Sequence, residues 1–225
     1  MSASAVSTLL LLADGRLPAG GHAHSGGLEE AVAAGRVLDA ADLAAYLRGR
    51  LTTTGRVDAA LAAAAWPDRA MAVDAEAVAR CPSPALRVAG RAQGRALLRV
   101  GRQMWPGRSL EVLAAARPGG LMWPVALGAV ASAAGLSAHD AALMGAQASV
   151  SGPAWAATRL LGLDPFAVAT CMADLSAAVD AEAAAAVSWA GEADHDLRHL
   201  PAASAPLADI GAQHHAAWEV RLFAS

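Results

Sequence analysis

Apolar residues recur at helical spacing along most of this chain, and no stretch shows the strict alternation of a half-buried strand. Glycine, proline and capping residues separate the periodic segments, so they mark where each predicted helix begins and ends. The pattern predicts an all-α fold, a single-domain helical bundle of about ten helices. The predicted helices cover residues 4–13, 27–34, 39–53, 57–66, 74–80, 83–105, 109–115, 124–134, 137–163, 165–190 and 208–218.

Capping residues and one proline refine this prediction. Pro153 predicts a kink or break within 137–163, because proline lacks a backbone donor and crowds the preceding turn. Residues 165–190 are expected to form one long helix that starts at a proline. The predicted N-caps have a side-chain oxygen directly before a periodic segment, and they are Asp39, Ser83, Ser137 and Asp164.

The last part of the chain differs in character from the rest. We expect residues 1–190 to form the helical core, and residues 191–225 to add a polar linker, a last helix and a C-terminal arm of the same domain. The arm carries the apolar pair Leu222 and Phe223 close to its end. Chain ends usually fray, so an apolar end predicts that some surface holds it.

A stretch without charged residues, 118–138, has the length of a membrane span. It is rich in glycine, alanine and serine and contains two prolines, so membrane insertion would be weakly driven. Up to residue 158 the only charged side chain is Asp140. Helices that are apolar on all sides are buried, and this region is therefore predicted to lie at the centre of the fold.

Composition narrows the classes of function. The chain has 225 residues, 56% of them hydrophobic, and a net charge of −3, whereas nucleic-acid-binding domains are usually basic. All 17 basic residues are arginine, and we interpret the arginine and alanine bias as background of the coding sequence. Cys81 and Cys171 are far apart in sequence and suit the core of a cytoplasmic protein. The amino terminus lacks the basic region of a signal peptide.

The predicted helix over 83–105 carries a basic stripe. Its arginines recur at intervals of three or four residues, which places them on one face, and they are Arg87, Arg91, Arg95, Arg99 and Arg102. The stripe is either a solvated face or a surface for an acidic partner. Gly90 and Gly94 lie beside the stripe and predict that another element approaches closely there.

Residues 17–29, LPAGGHAHSGGLE, form a glycine loop in an otherwise helical chain. We considered a metal site, a nucleophile and a docking surface there. His22 and His24 are candidate metal ligands, but no metal-binding spacing such as H-E-x-x-H occurs in the chain. We therefore expect neither a required metal nor another cofactor.

The glycine loop lacks the sequence motifs that a catalytic role would require. Ser25 lacks the first glycine of G-x-S-x-G and the strand that should precede it. A phosphate-binding P-loop needs a lysine, and the chain has none. Ser25 is better suited to capping the helix after the loop than to receiving an anion. These features predict an interaction protein and not an enzyme.

The chain resembles the family of the urease accessory protein UreF. The similarity covers nearly the whole length, with matching stretches at 9–29, 93–99, 124–163 and from His215 to the closing Arg221-Leu222-Phe223 and Ser225. His22 stands where many family members have Phe, which resembles the actinobacterial type. Ala216 and Glu219 depart from the family pattern near the arm.

The resemblance implies an all-α, homodimeric, cytoplasmic adaptor that binds UreD (also called UreH) and the GTPase UreG, and supports nickel insertion into apo-urease. It implies that the arm docks on UreD and that Arg221 ties the arm to the N-terminal region. The alternative function is a nickel-binding metallochaperone that uses its own histidines. The partner-binding residues carried over from matching positions are Leu17, Pro18, Gly20, Gly21, His24, Ser25, Gly27, Glu29, Gln93, Arg95, His215, Arg221, Leu222 and Phe223.

Overall fold

The computed structural model describes residues 3–225, with side chains from residue 5 onward. Residues 1 and 2, part of the amino terminus discussed above, lie outside the described residues. Across 3–225 the regular structure is helical and contains no strand, which confirms the all-α prediction. The α-helices are α1 (Ala3–Ala13), α2 (Leu28–Ala33), α3 (Ala40–Arg50), α4 (Arg56–Ala64), α5 (Ala70–Ala79), α6 (Pro84–Met104), α7 (Arg108–Ala116), α8 (Trp123–Ala133), α9 (Ala138–Leu160), α10 (Pro165–Asp174), α11 (Ser176–Glu192) and α12 (Pro206–Ala216).

The centre of the molecule is formed by α4, α8, α9 and α11. Helix α4 packs against the other three, and α6 covers α8 from the outside. Small residues allow this close packing: an added Cβ on Gly128 of α8 would overlap the carbonyl oxygen of Ala62 in α4. Residues 124–131 of α8 are all buried, so the middle of the uncharged stretch lies in the core as predicted, whereas Pro118, Gly119 and Gly135 are exposed. No helix within the described part of the chain is long and apolar enough to cross a bilayer.

The predicted N-caps are confirmed. Each side chain accepts a hydrogen bond from a backbone amide in the first turn of its helix, and at α9 Ser137 and Asp140 form a reciprocal capping box. Such caps contribute about 1 kcal/mol each, because they satisfy amides that have no partner within the helix. The capping box also explains why the one charged side chain of the uncharged region is buried.

Of the kink or break predicted at Pro153, the break is wrong, since α9 continues through the proline. Proline at this position leaves the carbonyl of Ser149, four residues earlier, without its helical donor. Arg50 supplies a replacement, because its Nε donates to the Ser149 oxygen at 3.1 Å. A side chain from α3 therefore stabilises α9 where the local sequence alone favours an interruption.

The predicted long helix over 165–190 is also wrong, since it is divided at Leu175 into α10 and α11. The hydroxyl of Ser176 donates to the carbonyl of Ala173 at 2.8 Å, and the Leu175 amide bonds only three residues back, to Met172. Such side-chain bonds compete with the helical pattern. The division lets α10 pack on α3 and α9, while α11 packs on α4 and α9.

Helices α3 and α4 are joined without a loop. The connection is a single π-helical turn, Leu51–Gly55, where the sequence pattern predicted two separate helices. Gly55 lies against Ser149 so closely that an added Cβ would overlap the serine side chain. The turn thus places Arg50 beside α9, in reach of both Ser149 and the glycine loop.

Candidate functional site

The terminal arm, residues 217–225 after α12, lies against the glycine loop, and Glu29 is the main contact between them. Glu29 Oε1 accepts the backbone amide of Leu222 at 2.8 Å, and Oε2 accepts that of Phe223 at 3.0 Å. Oε2 also lies 2.8 Å from Nε2 of His215, at the end of α12. Glu29 and His215 are both buried. One carboxylate therefore organises the last helix and the arm together.

The last two residues of the arm bind the middle of the loop. The Ser25 amide donates to the Ser225 carbonyl oxygen at 2.6 Å, and the Ala224 amide donates to Ala23 at 2.7 Å. The Ser25 hydroxyl also donates to Ser225, while Nδ1 of His24 lies 2.6 Å from the Ser225 hydroxyl. This pairing of two extended segments leaves little of the arm's end unbound.

Gly27 occupies the N-cap position of α2, and Ser25 performs the predicted capping from two residues earlier. Its hydroxyl accepts the amide of Glu29 at 3.2 Å, in the first turn of α2, and the residue is fully buried. Two glycines that follow it have positive φ, +62° at Gly26 and +87° at Gly27, a conformation that other residues adopt only with strain. These glycines turn the chain into α2 so that Glu29 faces the arm.

Side chains from α3 and α9 bind the glycine loop and the arm. The Gly26 carbonyl accepts from Arg50 Nη1 at 2.6 Å and from Tyr46 Oη at 2.9 Å. Arg159 of α9 donates to the carbonyl of His22, and its guanidinium lies 4.4 Å from the centre of the Phe223 ring. Such cation–π contacts contribute roughly 0.5–2 kcal/mol. Phe223 is thus buried as the anchor of the arm.

Sequence reasoning missed Tyr46, Arg50 and Arg159 as parts of this site. Arg159 had a signal, because it is the first arginine after a region whose one charged residue is Asp140. Tyr46 and Arg50 lie in an ordinary amphipathic helix, and no local pattern distinguishes them. Their roles become visible only when α3 and α9 are placed together.

Electrostatics favour a charged Glu29 and a neutral His24. Burial raises the pKa of Glu29, but the hydrogen bonds from Leu222, His215 and Phe223 together outweigh it, so the pKa lies below its usual value. Burial lowers the pKa of His24, and the neighbouring His22 lowers it further. At neutral pH the site therefore holds a carboxylate that accepts hydrogen bonds from two amides and an imidazole.

Helix α12 is fixed to α2 as well as to the arm. An added Cβ on Gly211 would overlap the carboxylate of Glu30, which pairs with Arg36. At the other side of α12, Gln213 Oε1 accepts from the amide of Ala85 at 2.8 Å. The start of the arm is therefore held between α2 and the amino end of α6.

The structure brings together six of the predicted partner-binding residues: His24, Ser25, Glu29, His215, Leu222 and Phe223. Gly27 supplies the turn between them. Within the described chain, no hydrogen bond or ion pair joins the remaining predicted residues to the arm: Leu17, Pro18, Gly20, Gly21, Gln93 and Arg95. Their assignment to a partner stays a prediction.

One expectation about the arm is corrected. Arg221 was expected to tie the arm back, but its side chain is exposed and has no hydrogen bond or ion pair within the described residues. Backbone amides make the tie instead, which leaves the neighbouring side chains free to point outward. Val220 is 85% exposed and Leu222 is 70% exposed. The arm is therefore bound by its backbone and by Phe223, while three consecutive side chains face solvent.

The basic stripe on α6 is partly used within the protein. Arg91 pairs with Asp74, which is fully buried, and Arg102 pairs with Glu111 through both carboxylate oxygens. Arg87 donates to backbone carbonyls at the amino end of α6. These three arginines stabilise the fold, so the solvated-face interpretation does not describe them.

The Gln93-Gly94-Arg95 motif has a packing role. An added Cβ on Gly94 would overlap the carbonyl of Leu121, and one on Gly90 would touch Met122. The predicted close approach of another element is confirmed: it is the segment that leads into α8. Gln93 itself is half-buried.

Known proteins match this chain over nearly its full length. The UreF family model matches residues 37–176. The urease accessory protein UreF of Mycolicibacterium vanbaalenii is 44% identical, over 99% of this chain and 100% of that protein. The UreF of Mycobacterium sp. strain JLS is 46% identical over 98% of this chain and 99% of that protein. The UreF of Mycobacterium tuberculosis strain H37Rv is 41% identical over 94% of this chain and 95% of that protein.

Proposed function

This chain belongs to the UreF family of urease accessory proteins, and we propose that it acts in urease maturation as a non-enzymatic adaptor. In this proposal the chain is a cytoplasmic homodimer that binds UreD (UreH) and the GTPase UreG. It recruits or regulates the GTPase so that nickel is inserted into apo-urease. Nickel is the cargo of this process and not a resident cofactor of the chain.

The presentation of the arm supports this proposal. Glu29 and Arg159 bind the backbone of the arm and Phe223, so Val220, Arg221 and Leu222 are held in fixed positions on the surface. Large apolar side chains held at the surface are typical of protein–protein contact sites. Because the arm is already ordered, docking on UreD costs little conformational entropy.

Outward-facing side chains of the arm provide the test. We expect Leu222→Asp to abolish co-purification with UreD, measured by co-expression and size-exclusion chromatography, while circular dichroism stays unchanged. Phe166→Asp is the matched control, since Phe166 on α10 is 82% exposed and lies outside the arm. A complex that survives Leu222→Asp at unchanged affinity contradicts docking through the arm.

Two histidine contacts favour the adaptor over the metallochaperone. His24 is bonded to Ser225 and His215 to Glu29, so both have structural partners. Among the described residues, no three His, Cys, Asp or Glu side chains are arranged to hold a metal ion. Equilibrium dialysis with Ni²⁺ separates the two functions: a tight stoichiometric site that is lost in His22→Ala and His24→Ala contradicts the pure adaptor.

A further inference from the structure

A basic groove lies between α6, α7 and residues 117–120, apart from the glycine loop and the arm. Its cavity has a volume of about 390 Å³, and its walls carry four guanidinium groups, from Arg95, Arg99, Arg102 and Arg117. The chain as a whole has a net charge of −3, so this concentration of positive charge contrasts with the rest of the molecule.

Internal partners do not neutralise the groove. Glu111 balances Arg102, and the single carboxylate of Asp74 is shared between Arg117 and Arg91. Arg99 has neither an ion pair nor a hydrogen bond in the described part of the chain. Two or more positive charges therefore face the groove without a carboxylate of the same protein.

Within the described residues, Arg95 and Arg99 make little contribution to the fold. Arg95 reaches only the carbonyl of Gly119, at the marginal distance of 3.5 Å. Arg95 and Arg99 are one helical turn apart, and like charges at that spacing destabilise a helix by roughly 0.2–0.5 kcal/mol. Both side chains are exposed. Their arrangement is suited to an external anion.

The floor of the groove indicates which anion fits. It is formed by Ala96, Leu98 and Ala114, so the positive walls enclose an apolar strip. The exposed Val88, 72% accessible, lies on the same face of α6, two turns before Arg95. Phosphate backbones offer no apolar groups for such a floor. An acidic amphipathic helix offers both negative charge and apolar side chains. The guanidinium forks bind its carboxylates in pairs, while an apolar side chain enters between them.

We propose that the basic groove binds an acidic amphipathic segment of a protein partner, with Arg95 and Arg99 each pairing with a carboxylate. The groove is a second contact surface beside the arm. Gln213 of α12 touches α6 near Ala85, about three turns before Arg95, so the arm does not cover the groove. The proposal does not depend on docking through Leu222, and the two can fail separately.

The probe is a fluorescent 18-residue helical peptide that carries Glu and Leu at three- and four-residue spacing. Fluorescence anisotropy is measured for the full-length protein, with a scrambled peptide of equal composition, inorganic pyrophosphate and duplex DNA as competitors. We expect saturable binding that weakens at least tenfold in Arg95→Glu/Arg99→Glu and weakens with salt, since exposed charges are screened. The control is Arg48→Glu, because Arg48 is also an exposed helical arginine and has no ion pair among the residues that the structure describes.

Three outcomes overturn the proposal. The first is that the peptide shows no saturable binding at millimolar concentration. The second is that Arg95→Glu/Arg99→Glu binds the peptide as tightly as the wild type does. The third is that pyrophosphate or DNA displaces the labelled peptide while excess unlabelled peptide does not. Leu222→Asp tests whether the groove acts independently of the arm: this variant should bind the peptide with an affinity within twofold of the wild type. Conversely, Arg95→Glu/Arg99→Glu should leave co-purification with UreD intact, and circular dichroism verifies the fold of each variant.

Discussion

At the scale of single residues, Glu29 carries more of the candidate site than any other side chain. It accepts hydrogen bonds from Leu222 and Phe223 and pairs with His215. The glycine loop was identified from sequence, yet Glu29 then stood only as one member of a family motif. Its role could not be derived locally, because its partners lie 186 to 194 positions later in the chain.

Glu29→Gln is expected to release the arm. The amide would place a donor toward amides and an imidazole that need an acceptor, and an unsatisfied buried donor costs about 1–3 kcal/mol. Hydrogen exchange at residues 222–224 should become at least tenfold faster. Glu219→Gln is the control, since Glu219 is an exposed residue of the same arm. Unchanged exchange in Glu29→Gln contradicts the central role of Glu29.

The contact between Glu29 and the arm also predicts how amide exchange of the arm depends on pH. Because the pKa of Glu29 is lowered in the folded state, its contribution to stability is present above the unfolded pKa of about 4.5 and is lost as the pH falls below it. In the wild type, the exchange rate of the arm relative to the intrinsic rate should therefore rise as the pH falls below 4.5. In Glu29→Gln this ratio should already be high at pH 7 and change little with acidification.

Asp58 on α4 provides the opposite case. It lines a cavity of about 1000 Å³ and has no ion pair within the described chain, and burial raises its pKa from 3.8 to about 6. An acid with a raised folded-state pKa loses stability as the pH rises from about 4 to 6. Asp58→Asn should therefore stabilise the protein at pH 8 by roughly 1–3 kcal/mol and have little effect at pH 4, measured by urea unfolding. Asp68→Asn is a control for surface charge, because Asp68 is exposed and lies outside the cavity.

At the scale of helices, periodicity and caps predicted nearly every element, and the failures have physical causes. The break at Pro153 did not occur because Arg50, about a hundred residues earlier, satisfies the carbonyl that proline orphans. The long helix over 165–190 was divided because Ser176 bonds locally and the two halves pack on different neighbours. Local helix propensity cannot predict either effect, because both depend on which helices pack against each other.

Arg50 and Pro153 should be energetically coupled. Arg50→Met leaves the Ser149 carbonyl without a donor, so it should destabilise the protein by about 2–3 kcal/mol. In a Pro153→Ala background the alanine amide can bond to Ser149, and the cost of Arg50→Met should fall by about 1–2 kcal/mol. A double-mutant cycle by chemical denaturation measures this difference. Additive effects of the two substitutions would rule out the compensation.

Two helical glycines, Gly94 in α6 and Gly49 in α3, give predictions of opposite sign. Gly94→Ala would push a methyl group into the Leu121 carbonyl, so it should destabilise the fold by about 2–3 kcal/mol or more. Gly49→Ala in α3 meets nothing within 4 Å and should stabilise the helix by about 0.5–1 kcal/mol. Thermal unfolding of both variants provides the comparison. Equal midpoints would show that the contact between α6 and the segment before α8 is not tight.

At the scale of the whole molecule, the glycine loop and the arm pack on each other and on the central helices, and Leu28 of the loop and Phe223 of the arm both belong to the hydrophobic core. Within the described chain, α4, α9 and α11 make the most extensive contacts with one another, and α8 joins this core by packing on α4 and α9. The alanine content, interpreted from sequence as background, is what fills this centre: residues 59–65 are buried alanines with one leucine. Composition alone could not distinguish background from close packing, because that distinction requires the helix neighbours.

Removal of residues 221–225 should act on the glycine loop and spare the contacts among α4, α9 and α11. The deletion takes away Phe223 and every partner of Ser25 in the arm, so residues 22–27 should exchange amide hydrogens at least tenfold faster. Exchange in α4 and α9 should change less than twofold, since none of their contacts with each other involves the arm. Hydrogen exchange with mass spectrometry resolves both regions in one experiment. Faster exchange throughout α4 and α9 would mean that the arm is part of the cooperative core, and displacement of the arm would then unfold the protein instead of breaking a single contact.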